Sequence, residues 1–142
     1  MDCIFCSILK GDIPSVMLHE DELTYSFLDI RQTNDGHCLV IPRVHEQRIY
    51  DLTPEVSAAL INHTALIARV MNETIAPDGI QVWQSNGEAA GQEIDHVHFH
   101  VFPRYHGDRH FRIYPEQPRT ASPEELESIA APMKKRIGEL SE

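Results

Sequence analysis

Short runs of β-branched, aromatic and aliphatic residues, separated by turn formers, predict successive strands near 16–19, 22–29 and 37–41, broken by Asp21 and by Asn34-Asp35-Gly36. Ahead of them, residues 2–10 read as a short helix stopped by Gly11 and Pro14. Thr53-Pro54 supplies an N-cap followed by proline at the first helical position, and Val56, Ala59, Leu60, His63, Leu66, Ile67 and Val70 then recur on one helical face. This long helix is expected to end before Pro77-Asp78-Gly79. Ile80 to Gln84 and Val97 to Phe102 predict two further strands, joined as a hairpin by the glycine-bearing loop Asn86 to Glu93. Residues 103–121, with Pro103, Pro115, Pro118 and several charges, read as an extended surface segment. Ser122-Pro123-Glu124-Glu125 matches a capping box, with Leu126, Ile129, Ala130, Met133 and Ile137 as the apolar stripe of a C-terminal helix. The expected class is α+β, with an antiparallel sheet of about five strands, one long helix, a short N-terminal helix and a C-terminal helix.

Composition narrows the picture. A chain of 142 residues holds one ordinary domain with a real core. Hydrophobic residues at 42% and charged residues at 24% are ordinary globular values, which suggests neither disorder nor a membrane protein. The balance of 12 Lys+Arg against 22 Asp+Glu, with no basic run, argues against a nucleic-acid partner. A single small anion remains admissible, because backbone N–H groups hold a phosphate without a basic surface. The opening Met1-Asp2-Cys3-Ile4-Phe5-Cys6 has no basic or long apolar stretch, so no secretory leader and a cytoplasmic location are expected. Three cysteines make no disulfide framework; in a reducing compartment they stay thiols or bind metal.

The candidate chemistry lies in His96-Val97-His98-Phe99-His100. On a strand, side chains alternate, so the three imidazoles share one face while Val97, Phe99 and Val101 anchor the other. Histidine at every position of one face is more than a core or a solvated face requires. Three imidazoles suit either a catalytic metal or nucleophilic attack by one ring oriented by the others. In the neighbouring loop, Gly87, Gly91, Ala89 and Ala90 allow close approach of backbone N–H groups to an oxyanion, and Asn86 and Gln92 add neutral donors. Such a loop fits a phosphate better than a carbonyl.

The seven residues HVHFHVF, His96 to Phe102, match the histidine-triad (HIT) motif of alternating histidines and apolar residues at every position. Cys3-Ile4-Phe5-Cys6, Phe27-Leu28-Asp29-Ile30, the run Gly36 to Arg43 with His45 after it, the loop Asn86 to Gln92, and Pro103-Arg104 also resemble this family, in the right order over about the first hundred residues. The resemblance implies a single HIT domain over 1–142, with the motif-bearing core at 1–105 and an extended segment and C-terminal helix at 106–142. It further implies a two-fold homodimer that continues the sheet.

The resemblance also implies an activity: hydrolysis or transfer at the α-phosphate of a purine nucleotide or nucleotide conjugate. A covalent nucleotidyl-His98 forms and a nucleoside monophosphate leaves. His100 is the phosphate-side partner. Asp29 corresponds to the ribose-binding carboxylate; Phe5, Ile8, Phe27 and Ile30 to positions around the base; His37 to a supporting histidine; and Ser85 or Asn86, with Gly91 and Gln92, to the phosphate loop. Phosphoramidates such as AMP-lysine or AMP-NH2, acyl-adenylates and dinucleoside polyphosphates are the implied substrates, with no organic cofactor. Glu93 departs from the serine or threonine of many members, and a glutamate there repels an anion unless it turns away, protonates or meets the leaving group.

Some bacterial members similar to this chain build a zinc site from the N-terminal cysteine pair, the histidine after the Pro-Arg turn and the first triad histidine. Cys3, Cys6, His45 and His96 stand at those places. The implied site is closed and structural. Cys38 and His63 are expected to be core residues, and His19, His106 and His110 have no assigned partner. Two competing readings are a catalytic zinc held by His96, His98 and His100, and a nucleotide-binding interaction module with vestigial catalysis.

Overall fold

Five strands, β1 (Met17–Glu20), β2 (Thr24–Leu28), β3 (Cys38–Pro42), β4 (Gly79–Gln84) and β5 (Phe99–Arg104), form one antiparallel sheet in the order β1-β2-β3-β5-β4. Three helices accompany them: α1 (Ile4–Lys10), α2 (Pro54–Thr74) and α3 (Pro123–Leu140). The structure is a computed structural model and describes residues 2–109 and 117–141; His110 lies outside them. Its contacts divide the chain into two units, Met1–Asp108 and Arg109–Glu142.

Alternation along the strands creates two cores. Cys38 and Val40 of β3 join Val97, Phe99 and Val101 against Val56, Leu60, Ile67 and Met71 of α2. Leu39 and Ile41 point the other way, with Tyr25 and Phe27 of β2, and meet Phe5 and Ile8 of α1. A helix of seven residues is too short to hold itself together, so this apolar contact and its caps keep α1 formed. Gly11 closes it in the left-handed conformation (φ +83).

The expected α2 stripe is shifted. Thr64 and Met71 are buried with Val56, Leu60, His63 and Ile67, whereas Leu66 and Val70 are 42% and 44% exposed. Those two instead line an open apolar groove of about 330 Å3 with Leu18, Leu28 and Ile75. Part of the surface that α2 meets is polar, because β2 turns Thr24 and Ser26 toward it. His63 answers them, with Nδ1 2.7 Å from Thr24 Oγ1 and Nε2 2.8 Å from Ser26 Oγ. His19, which had no assigned partner, stands edge-on to His63 at 5.0 Å. The backbone N–H of His106 donates to Asp78 Oδ2.

The fifth strand begins later than the alternation predicts, at Phe99 instead of Val97. The N–H of His96 donates to Ile94 O, and that of Val97 to Glu46 O, so the segment docks on the chain after β3 before it enters the ladder. Only His100 of the triad therefore lies in a strand. The alternation nevertheless persists, since Val97 is fully buried on the α2 side beside Phe99 and Val101. Gly36 (φ +117) sets the entry to β3, where a Cβ would collide with Ile75 Cδ1.

In the second unit, Ser122 caps α3 by accepting from the N–H of Glu125, while the Glu125 carboxylate pairs with Arg119 and does not complete the expected capping box. Leu126, Ile129, Met133 and Ile137 are all exposed within that unit.

His63→Leu is expected to destabilise the protein by about 2 kcal/mol, because the Thr24 and Ser26 hydroxyls lose a buried partner. Urea unfolding should show a lower midpoint at unchanged slope, and an unchanged midpoint would refute this role for His63.

Candidate active site

Two backbone carbonyls assign the chemistry of two neighbouring histidines. His98 Nδ1 lies 2.7 Å from His96 O, and a carbonyl only accepts, so Nδ1–H donates and Nε2 keeps the lone pair. His96 Nε2 lies 2.9 Å from Pro42 O, so there Nε2–H donates and Nδ1 keeps the lone pair. The two rings are thus held as opposite tautomers two residues apart.

Phe5 of α1 covers both rings edge-on, at 5.2 Å from His98 and 5.7 Å from His96. Burial pushes the imidazole pKa of His98 below its ordinary value, against the opposing pull of the bond to His96 O, and that of His96 down to about 4. Both rings are neutral at physiological pH, and a neutral His98 with a bare Nε2 is a nucleophile.

His100 is held differently. Its Nδ1 is 2.9 Å from His37 Nε2, and its ring lies 4.1 Å from that of Trp83 and 6° from parallel. Burial, with His98 and His37 adding to it, lowers its pKa to about 3. Burial likewise lowers that of His37, and Asp29 opposes the shift with Oδ2 3.7 Å from His37 Nδ1. Asp29, His37 and His100 bring their donors together, but His37 presents opposite nitrogens to its two neighbours. The arrangement is a chain of polar contacts and not a cage for one cation.

The other cluster does converge. Cys3 Sγ is 3.4 Å and Cys6 Sγ 3.6 Å from His96 Nδ1, Cys6 Sγ is 3.3 Å from His45 Nδ1, and the two Nδ1 atoms are 3.2 Å apart. Bonds of about 2.3 Å to sulfur and about 2.0 Å to nitrogen in a tetrahedron require S–N edges near 3.6 Å and N–N edges near 3.3 Å. Four of the six edges thus lie close to those of such a tetrahedron, and all four donor atoms fall within 4.8 Å of one another. Because His96 belongs to this cluster, His100 to the other and His98 to neither, the triad does not form a single metal site.

The loop after β4 is braced by its own side chains. Gly87 (φ +91) and Gly91 (φ +88) bracket a 3-10 turn at Glu88–Ala90. Gln92 is not the free donor expected: its amide hydrogens go to Gln47 O and Ile94 O, and its Oε1 accepts from Gly87 N–H and Arg48. Asn86 accepts from Ile49 N–H and exchanges bonds with Gln84. Ser85 is half-buried just after β4. Glu93 turns outward, 3.7 Å from Arg31. Phe5, Ile8 and Phe27 are buried in the second core, with Phe5 against the triad rings, whereas Ile30 is 91% exposed beside Asp29. The chain 29–37 is tied by Gln32, which donates to Asp29 O and His37 O and accepts from Gly36 N–H.

A family comparison matches residues 10–107 to the HIT domain. The chain belongs to the HIT domain family. Among its relatives, adenosine 5'-monophosphoramidase hnt1 of Schizosaccharomyces pombe is 38% identical over 138 residues, covering 96% of this chain and 99% of that one. The crystal structure of a HIT family member from Bacillus subtilis superimposes with a TM-score of 0.87 at 38% identity, covering 96% of this chain and 97% of that chain. A zinc-bound histidine triad family protein from Mycobacterium smegmatis superimposes with a TM-score of 0.72 at 35% identity, covering 96% and 98%.

Within this HIT site, the residues that sequence reasoning missed are Trp83, Gln32 and Arg48. Trp83 carried a signal, because the hairpin register sets it opposite His100. Gln32 and Arg48 act through backbone and amide contacts that no spacing announces.

Proposed function

We propose that this HIT protein hydrolyses a purine nucleoside phosphoramidate or related nucleotide conjugate and releases the nucleoside monophosphate. The observation that carries the reading is the bond from His98 Nδ1–H to His96 O, which leaves Nε2 unprotonated in a buried site. In the first step the Nε2 lone pair attacks the α-phosphorus, the bond to the leaving amine breaks, and the amine takes up a proton. In the second, water attacks the same phosphorus, the P–N bond to His98 breaks, and the water's proton leaves. His100 lies beside His98 for the transferring phosphate, with ring centroids 4.9 Å apart. Asp29 and Ile30 are assigned to the ribose and base, His37 supports His100, and Gly91 and Gln92 shape the phosphate loop, with Ser85 or Asn86 as the side-chain donor there. The name of the S. pombe relative, a monophosphoramidase, agrees with this reading.

We assign Cys3, Cys6, His45 and His96 to a structural zinc, with the N/S donor set and edge lengths in support. When bound, the ion cross-links α1, the chain after β3 and the triad segment. Three cysteines with no disulfide among them suit a reducing cytoplasm. Residues 1–142 are read as one HIT domain, working as a two-fold dimer that extends the sheet.

The experiment is a substrate panel with wild type and His98→Ala. Wild type is expected to release AMP or GMP and form a trappable nucleotidyl adduct, and the variant to lose both. An adduct that survives in His98→Ala would end the mechanism. A lowered pKa keeps His98 unprotonated further into acid, so kcat/KM should stay flat through neutrality and fall only on the acid side, at a midpoint below about 6.5. A midpoint at or above that value would contradict the burial argument.

Metal analysis should find about one zinc per chain, lost in Cys3→Ser and in His45→Ala with a large fall in Tm. Full zinc content in both variants would refute the ligand assignment. Light scattering should give twice the 16.2 kDa chain mass; a monomer at every concentration would refute the dimer.

A further inference from the structure

We propose that Trp83 is a positioning residue for His100, clamping the imidazole plane so that its Nε2 edge is held toward the transferring phosphate. The inference rests on the phosphoryl-transfer reading above. It starts from register: β4 and β5 pair Trp83 directly with His100 on the face that also carries His37, across β5 from Trp83. The indole and imidazole planes lie 6° from parallel with centroids 4.1 Å apart. His37 adds a second stacked ring, 5.2 Å from His100 and 5.6 Å from Trp83.

The bond between His37 Nε2 and His100 Nδ1 fixes one corner of the His100 ring. A single hydrogen bond at one corner leaves the ring free to swing about it, and the terminal torsion of histidine is intrinsically broad. A flat aromatic surface against one face removes that motion, and the His98 ring adds a further contact at 4.9 Å and 65°. The indole therefore decides where Nε2 of His100 points. Trp83 is half-buried, lies outside both buried clusters and also packs on Phe102 with ring centroids 5.7 Å apart, so Trp83→Phe serves as the control for lost packing.

The decisive comparison uses Trp83→Leu, Trp83→Phe and His100→Gln, singly and as the Trp83→Leu/His100→Gln pair, on AMP-NH2. Trp83→Leu is expected to lower kcat about tenfold with KM changed less than about twofold, as loss of one aromatic stack on a transition-state group predicts. Trp83→Phe, which keeps a flat ring, should restore most of the rate. In the His100→Gln background Trp83→Leu should cost nothing further. An unchanged kcat in Trp83→Leu, or an equal loss with and without His100, would overturn the proposal.

A second readout needs no turnover. The ring protons of His100 should resonate upfield in wild type, through the ring current of the only tryptophan in the chain, and move downfield in Trp83→Leu. If wild type turns over no phosphoramidate, the functional reading falls alone. The resonances then decide the clamp, and unshifted signals in Trp83→Leu would overturn it.

Discussion

A carbonyl oxygen has no proton to give, and the site depends on that asymmetry. Pro42 O and His96 O each force a neighbouring imidazole to donate, and in doing so choose which nitrogen keeps its lone pair. The same kind of contact, applied at opposite corners of the ring, leaves Nδ1 of His96 unprotonated toward the cysteine sulfurs and Nε2 of His98 unprotonated in the buried site. Burial completes the assignment by holding both rings neutral. Any change that moved the His96 backbone would alter the tautomer of His98 and the aim of His96 together, because one residue supplies the carbonyl to the first and the ring to the second.

The sheet makes this possible by keeping its two faces distinct. Toward α2 it presents an apolar layer interrupted by one polar knot, in which His63 spans Thr24 and Ser26. Toward α1 it presents Phe27, Leu39 and Ile41 as a floor, with Phe5 closing over the triad. Mechanical firmness around the triad comes from covalently distant pieces: the chain after β3, the loop braced by Gln92 and Arg48, and the 29–37 turn tied by Gln32.

Much of this was legible in the chain because it is periodic. The period-two pattern separated the histidines from Val97, Phe99 and Val101 correctly, even though β5 begins later than expected. The capping pair Thr53-Pro54 located the start of α2, and Gly11 the end of α1. The illegible parts involve partners that sequence does not place in order. Leu66 and Val70 fell off the buried face while Thr64 and Met71 joined it, because the helical period alone does not say which of two neighbouring rows meets the sheet. Gln92 looked like a phosphate donor by residue type, but its amide hydrogens were already committed to two carbonyls far apart in sequence. The tautomers were out of reach for the same reason, since they depend on which carbonyl each ring meets.

The first helix has a consequence for how the protein can vary. Within seven residues and its cap, Cys3 Sγ both accepts from the N–H of Cys6 and faces His96, Phe5 roofs the triad, Cys6 faces His45, and Ile8 fills the second core. Cys3, Phe5 and Cys6 therefore each serve the helix and something beyond it, and a substitution acceptable to the helix must also be acceptable to the Cys–His cluster and to the rings that Phe5 covers. The exposed positions Ile4 and Lys10 carry no such double duty, so tolerance to substitution in this stretch is confined to a few positions of a helix barely two turns long.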